Sequence, residues 1–348
     1  MKDNLLARLR MYNQYISNPV FCNPEDVVKT MVAVQAQDYA GAKWAIGIRM
    51  TSAKESVVEQ AITDGRILRT HLLRPTWHFV APRDIRWILA LTAPRIHAIN
   101  AGMYKKFELN ATVFNKANEV FIQTMQGHKQ LTRAELTGAL NGNHIPTDDL
   151  RFTLLLMHAE LDGVICSGAR VGKQFTYALL DDRAPAAPSL THEEALNKLA
   201  TGFFNTRGPA TVHDFANWSG LTIADASTGL EHIKGRLISE VIDGKTYWMP
   251  HHSTTVLTKN KAYLLPAYDE FAIAYKDRDA LVAPQHKEQA RYVIFDPVIV
   301  IDNQVVGNWK RTIKTNDVDI SYNLFGKLNK IQDKALEAAA KRYRDFLL

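Results

Sequence analysis

Two stretches of this chain repeat one order of signals: a Thr-x-x-acid helix start, a second helix, then two short strands joined by a turn. In the first stretch Thr132 and Glu135 have the reciprocal spacing of a capping box. A helix follows over residues 150–161, and residues 163–166 and 175–179 read as strands around Arg170, Gly172 and Lys173. In the second, Thr211 and Asp214 open a helix and residues 222–233 form the next one. Residues 237–242 and 247–249 then make a hairpin closed by Asp243-Gly244, a dipeptide suited to the positive φ angles of a two-residue turn.

The N-terminal third gives a looser version of the same order. Leu5, Leu6, Leu9, Tyr12 and Ile16 recur at helical spacing, and Asn23-Pro24-Glu25-Asp26 is a helix start with acids near the positive end of the dipole. A short amphipathic run, Val57, Val58, Ala61 and Ile62, ends at Gly65; residues 66–71 and 76–80 then read as strands around Arg74-Pro75. Short helices followed by a hairpin is the order of a winged-helix module, which docks on duplex nucleic acid through a helix or a wing. The expectation is therefore an α+β chain with three such modules, at residues 1–110, 111–184 and 189–255. Ala184-Pro185-Ala186-Ala187-Pro188-Ser189 serves as a linker. Residues 256–348 change to short strands (262–265, 293–295, 298–301 and 305–309) and a last helix over 327–347, which reads as a small β-barrel or sheet.

At 348 residues, with 46% hydrophobic and 22% charged side chains, the chain is expected to be a globular protein of two to four domains. No apolar run approaches the roughly 20 residues that span a bilayer, and no signal peptide opens the sequence. Two cysteines make no disulfide framework, so a cytoplasmic protein with reduced thiols is expected. Residues 1–180 hold 21 Lys and Arg against 15 Asp and Glu, whereas residues 181–348 hold 21 of each. The whole basic excess therefore lies in the first half, as a polyanion-binding face requires.

That same half contains Val34-Gln35-Ala36-Gln37-Asp38. Residues two apart diverge by about 200° on a helix. Gln35 and Gln37 can therefore serve one target only where the backbone is extended or turning. Elsewhere the familiar chemistries are missing: no paired-cysteine or His-Glu-x-x-His metal motif, no Gly-x-Ser-x-Gly elbow, no phosphate loop, and the adjacent His251-His252 diverge. Neither a metal nor a cofactor is expected. Tyr268, Asp269, Glu270, Lys276 and Arg278 could line a channel, with ion pairing the commoner use of such charges.

Five segments carry a resemblance: Gln35-Ala36-Gln37, Leu73-Arg74-Pro75-Thr76-Trp77-His78, Asn217-Trp218-Ser219-Gly220-Leu221, Leu264-Leu265-Pro266-Ala267-Tyr268-Asp269 and Val306-Gly307-Asn308-Trp309-Lys310. Together they resemble the AlkZ/YcaQ-like winged-helix DNA glycosylases over nearly the full length. The resemblance implies three tandem winged-helix motifs and a C-terminal β-barrel in a C shape. It also implies a monomeric, nucleoid-associated bacterial enzyme acting on duplex DNA, with no obligate protein partner. Gln35 and Gln37 match the Gln-x-Gln form of the family's catalytic motif, found in its azinomycin-resistance branch; Asp38 is one residue out of register for the Gln-x-Asp form. Expected DNA contacts are Lys43 and, on the first hairpin, Arg69, Arg74 and His78. Arg170 and Lys173 on the second wing, and Lys276 and Arg278 further on, complete the set.

Two neutral amides suit a particular substrate. Alkylation at N7 of guanine or N3 of adenine makes the base cationic and a good leaving group, so positioning a water and stabilising an oxocarbenium-like sugar remain to be done. A glutamine carbonyl can accept from that water, but the group is no strong base. N7-alkylguanine adducts, interstrand crosslinks among them, are thus the expected targets. Two competing readings are a non-catalytic winged-helix regulator of undamaged DNA and a scaffold that binds proteins through its wings.

Overall fold

The computed structural model describes residues 2–251, 260–291, 295–314 and 317–348. Helices and antiparallel sheets are mixed along the chain, and the chain gathers into two compact units. One comprises Met1–Glu59, Leu196–Trp218 and Thr222–Leu348; the other comprises Gln60–Ala195 with Ser219–Leu221.

In the second unit the helices Pro82–Lys106, Ala111–Met125, Arg133–Gly142 and Arg151–Leu161 enclose Phe114, Phe121, Met125, Leu136 and Leu155. The capping box is present: Glu135 N donates to Thr132 Oγ1 at 3.4 Å, and Thr132 N donates to Glu135 Oε2 at 2.7 Å. Leu68–Leu72 and Thr76–Val80 form the first hairpin, in register from Leu68 opposite Val80 to Leu72 opposite Thr76. All five residues of Leu68–Leu72 are buried. That strand packs against the helices Pro82–Lys106 and Arg151–Leu161 and the strand Ile165–Ser167, so the inside-outside alternation of a half-exposed hairpin is lost. The second hairpin pairs Ile165–Ser167 with Thr176–Leu179, and Leu131–Thr132 adds a third strand.

The first unit carries the helices Pro24–Met31 and Tyr39–Gly47 on either side of the strand Ala33–Gln35. Later in the chain come the helix Ile223–Ile233 and the hairpin Leu237–Ile242 with Lys245–Pro250. Asp243 and Gly244 close that hairpin with φ of 49° and 76°, the two positive values of a type I′ turn. The C-terminal strands run in the order Val318–Leu324, Gln304–Ile313, Val298–Ile301, Ala262–Leu265. This corrects the expected barrel: among the described residues the sheet is open, with Val318–Leu324 and Ala262–Leu265 as its edges. The helix Lys330–Leu347 packs on the edge strand Ala262–Leu265. Carbonyls of that strand, Leu264 and Leu265, accept from the indoles of Trp44 and Trp309 at 2.6 and 2.8 Å rather than from a closing strand. Trp44, Trp309 and Phe346 gather around Tyr343 and one another, ring centroids 4.8 to 5.1 Å apart. The strand expected at 293–295 falls mostly outside the described residues, as does His252.

Leu155 is 1% exposed in the core of the second unit. Leu155→Ala should cost about 2–5 kcal/mol there, seen as a lower urea midpoint in the far-ultraviolet dichroism.

Candidate active site

The Gln35-Ala36-Gln37 segment leaves a strand and enters a helix, and each boundary has a physical cause. The helix Pro24–Met31 ends at Val32, whose φ of 65° and ψ of −50° no β-branched residue adopts without strain. Ala33–Gln35 is then extended. Asp38 caps the following helix, its Oδ1 accepting from Gly41 N at 3.1 Å. Gln35 is half-buried and Gln37 exposed. The amides thus lie in the non-helical segment that a shared target for both would need, four or more residues past the end of the helix Pro24–Met31.

A buried ion pair holds this turn in place. Arg207, fully buried, donates from Nη1 to Met31 O at 3.0 Å and from Nη2 to Ala33 O at 2.8 Å, so its guanidinium clasps the carbonyls on both sides of Val32. The same guanidinium meets Glu270 Oε2, at 2.9 Å from Nε and 2.8 Å from Nη2. Trp218 Nε1 donates to that oxygen at 2.9 Å, and Glu270 Oε1 accepts from the backbone N of Gln35 at 3.0 Å. The carboxylate is therefore saturated, and one of its oxygens fixes the motif itself. Burial lowers the Arg207 pKa and Glu270 opposes the shift; an arginine remains cationic at neutral pH regardless.

The neighbouring Asp269 takes a second buried arginine, Arg49, in a two-pronged pair at 2.9 Å on each oxygen. Arg49 also donates to Ala45 O and Gln14 Oε1. Gln14 donates to the Tyr275 hydroxyl, which donates onward to Arg207 O, both at 2.8 Å. Burial pushes the Tyr275 pKa up to about 12, so it stays a donor. Asp269 and Glu270 are thus structural ion-pair partners rather than channel-lining groups. Sequence reading missed Arg207 and Arg49; neither stands near the motif in the chain, and no local pattern marks them.

One atom of the motif itself is left over. Gln35 Oε1 is buried and has no hydrogen-bond partner in the protein. An isolated buried carbonyl costs about 1–3 kcal/mol, so an acceptor facing no donor is suited to a ligand or a water.

The expected DNA contacts divide by exposure. Lys43 is 2% exposed and ion-paired with Glu55 and, at 2.6 Å, with Glu59. His78 is fully buried, 2.9 Å from Thr76 O through Nδ1. Arg69 is buried too, its guanidinium 4.0 Å from the Trp77 ring centroid and 4.8 Å from that of Phe175. These three are interior groups, which composition could not foretell. Arg74 is half-buried beside Leu73, whose φ is 62°. Lys173 is exposed on the loop of the second hairpin, and Arg170 lies half-buried there over Phe175. Exposed Lys276 and half-buried Arg278 line a cavity of about 850 Å³ with His213, Lys245 and Trp248; that cavity does not include the glutamines.

The Gln35-Ala36-Gln37 segment is thus a neutral amide pair on a strained, clamped turn, in a chain of helices and short hairpins. A family model described as DNA glycosylase AlkZ-like matches residues 28–346. The chain belongs to the AlkZ-like DNA glycosylase family and is a DNA glycosylase. It is 24% identical over 366 residues to an interstrand DNA cross-link repair glycosylase of Streptomyces sahachiroi, covering 95% of this chain and 92% of the relative. Its fold is similar to the solved structure of the Streptomyces sahachiroi DNA glycosylase AlkZ, with a TM-score of 0.79 and 21% identity over 98% of this chain and 95% of the other. Family membership displaces the regulator and scaffold readings. No helix among the described residues is long and apolar enough to cross a membrane.

Gly202 tests the clamp. A Cβ there would collide with Val32 Cγ2, although alanine in a helix interior ordinarily gains about 1 kcal/mol over glycine. Gly202→Ala should therefore lower the thermal midpoint, and adding Val32→Ala should recover part of the loss.

Proposed function

We propose that this enzyme hydrolyses the N-glycosidic bond of cationic alkylated purines in duplex DNA, N7-alkylguanine adducts and interstrand crosslinks included. The observation that carries the reading is the unpartnered, buried Oε1 of Gln35 on a turn fixed from behind by Glu270 and Arg207. In this reading Gln35 accepts a hydrogen bond from the attacking water, and Gln37, exposed two residues on, supports the cationic sugar from the substrate side. The base leaves as a neutral purine, so no side chain has to protonate it. The acids that touch the segment are already engaged, Glu270 by Arg207, Trp218 and Gln35 N, and Asp38 by Gly41 N. A site without a free carboxylate favours lesions that carry their own charge.

The Streptomyces sahachiroi cross-link repair glycosylase is a relative whose activity, as its name states it, agrees with the bulky end of this substrate range. The three helix-and-hairpin segments act in our reading as winged-helix modules over residues 1–110, 111–184 and 189–255. Duplex phosphates meet the exposed cations Lys173 and Lys276, with Arg74, Arg170 and Arg278 beside them, rather than Lys43, Arg69 or His78. The enzyme works as a monomer in the bacterial cytoplasm.

Release of N7-methylguanine from duplex DNA is the direct assay. Gln35→Ala and Gln37→Ala should each slow release, on the order of 10²-fold for Gln35→Ala, while a uracil-containing duplex should give no product with any variant. Undiminished release by both folded variants would remove the amides from the mechanism. Binding to undamaged duplex supplies a second measurement. Lys173→Ala should reduce the slope of log affinity against log salt by about one, and Lys43→Ala should leave that slope alone while lowering stability.

A further inference from the structure

In the second unit, His97, His158 and Asp162 bring two imidazoles and a carboxylate together, with one ligand atom from each lying within 4.8 Å of the others. His97 stands on the helix Pro82–Lys106, three residues past Pro94. His158 and Asp162 are four residues apart, the histidine in the last turn of Arg151–Leu161 and the aspartate at its C-cap. Side chains four apart share a helix face. We propose that these three side chains form a binding site for a divalent transition ion of the zinc class, tying the two helices together.

Asp162 lies against both histidines, hydrogen-bonded to His97 and within ligand distance of His158. His97 Nε2 lies 3.1 Å from Asp162 Oδ1, and His158 Nδ1 lies 3.1 Å from Asp162 Oδ2. Donor atoms about 2.1 Å from one ion stand roughly 3.0 to 3.4 Å from each other, the span between octahedral and tetrahedral angles. His158 Nδ1 is also buried and, despite that proximity, makes no hydrogen bond of acceptable direction. A nitrogen close to a carboxylate oxygen but not aimed at it fits two atoms directed at a third centre.

The surroundings supply what a metal-bound histidine needs. The second nitrogen of His97, Nδ1, lies 3.2 Å from the Tyr104 hydroxyl, an outer partner that fixes ring orientation and leaves Nε2 to coordinate. Phe114 stacks on His158 with centroids 3.5 Å apart and planes 15° from parallel. Asn118 Nδ2 donates to Asp162 Oδ2 at 3.4 Å. A carboxylate at a helix C-terminus faces the negative end of the dipole, where a bound cation relieves the repulsion. A cavity of about 320 Å³, lined in part by His97 and Asp162, leaves space for water ligands. Arg86 also lines it, but its guanidinium is held by Asp181 at 2.6 Å and by the carbonyls of Ala184 and Pro185. Two nitrogens and one oxygen with open positions suit zinc and its neighbours better than magnesium or calcium.

The test uses the full chain without a histidine tag, stripped with chelator and titrated with zinc chloride by calorimetry. One ion per chain should bind with a dissociation constant in the micromolar range or tighter, and zinc should raise the thermal midpoint. His97→Ala and Asp162→Ala should each weaken binding at least tenfold and abolish the midpoint shift. Wild-type protein gives a readout that needs no variant: zinc should protect His97 and His158 from diethyl pyrocarbonate, scored by peptide mass spectrometry. No saturable uptake below 100 µM zinc (a concentration of about 10⁻⁴ M, near −5.5 kcal/mol), or labelling of both histidines unchanged by zinc, would overturn the proposal.

Discussion

The placement of the Gln35-Ala36-Gln37 segment depends on one buried ion pair. Arg207 and Glu270 lie 63 residues apart in the chain and are both fully enclosed. Between them they bind the carbonyls of Met31 and Ala33 and the amide N of Gln35. A buried pair of this kind adds little net stability, since desolvation offsets most of its attraction, yet removing either partner strands the other and costs about 3–5 kcal/mol. Its value here is geometric. A strained residue at Val32 persists only where its surroundings over-determine it, and the guanidinium clasp on both flanking carbonyls does so.

The clamp also decides which groups remain for chemistry. Glu270 accepts from the backbone N of Gln35, and both its oxygens are occupied by permanent donors. Asp38 is spent on the helix that follows. The side chains of the motif are amides, Gln37 exposed and Gln35 half-buried with its Oε1 enclosed, and an amide neither accepts a proton near neutral pH nor carries a charge that would need desolvation. On the function proposed above, the driving force comes from the leaving group, which ties the motif to bases that are already cationic.

Much of the local structure was legible in the sequence because its causes are local. The Thr132 capping box, the Asp243-Gly244 turn and the strand bounds at 298–301 follow from residues a few positions apart. The extended backbone at Gln35 followed from spacing alone. The misplaced surface groups have a common origin in long-range burial. Lys43 counts toward a basic face until Glu55 and Glu59, one turn apart on another helix, neutralise it. His78 alternates with Trp77 and Phe79 as though one face were wet, but the strand beside it is buried at all five positions. The barrel failed for a related reason: the short strands were visible, whereas the indole donors and the C-terminal helix on the edge strand were not. The His97 cluster escaped a search by spacing because one ligand lies 61 residues from the nearest other.

The first hairpin shows how such burial redirects function. The Arg69 guanidinium lies against the rings of Trp77 and Phe175, and its backbone N donates to Ser167 Oγ at 2.8 Å. Two residues along the same strand, His71 Nδ1 lies 2.5 Å from the buried Glu160, whose carboxyl burial pushes up while His71 opposes the shift. A cation stacked between two rings and a histidine locked to an interior acid cannot also swing out to a phosphate without leaving charges stranded in the core. The hairpin is therefore a structural clasp between strand and helix, and Phe175, which completes the stack, immediately precedes the strand Thr176–Leu179 that leads back from the loop carrying Arg170 and Lys173. Fixing the base of that loop leaves its tip as the part of the second hairpin able to present positive charge outward.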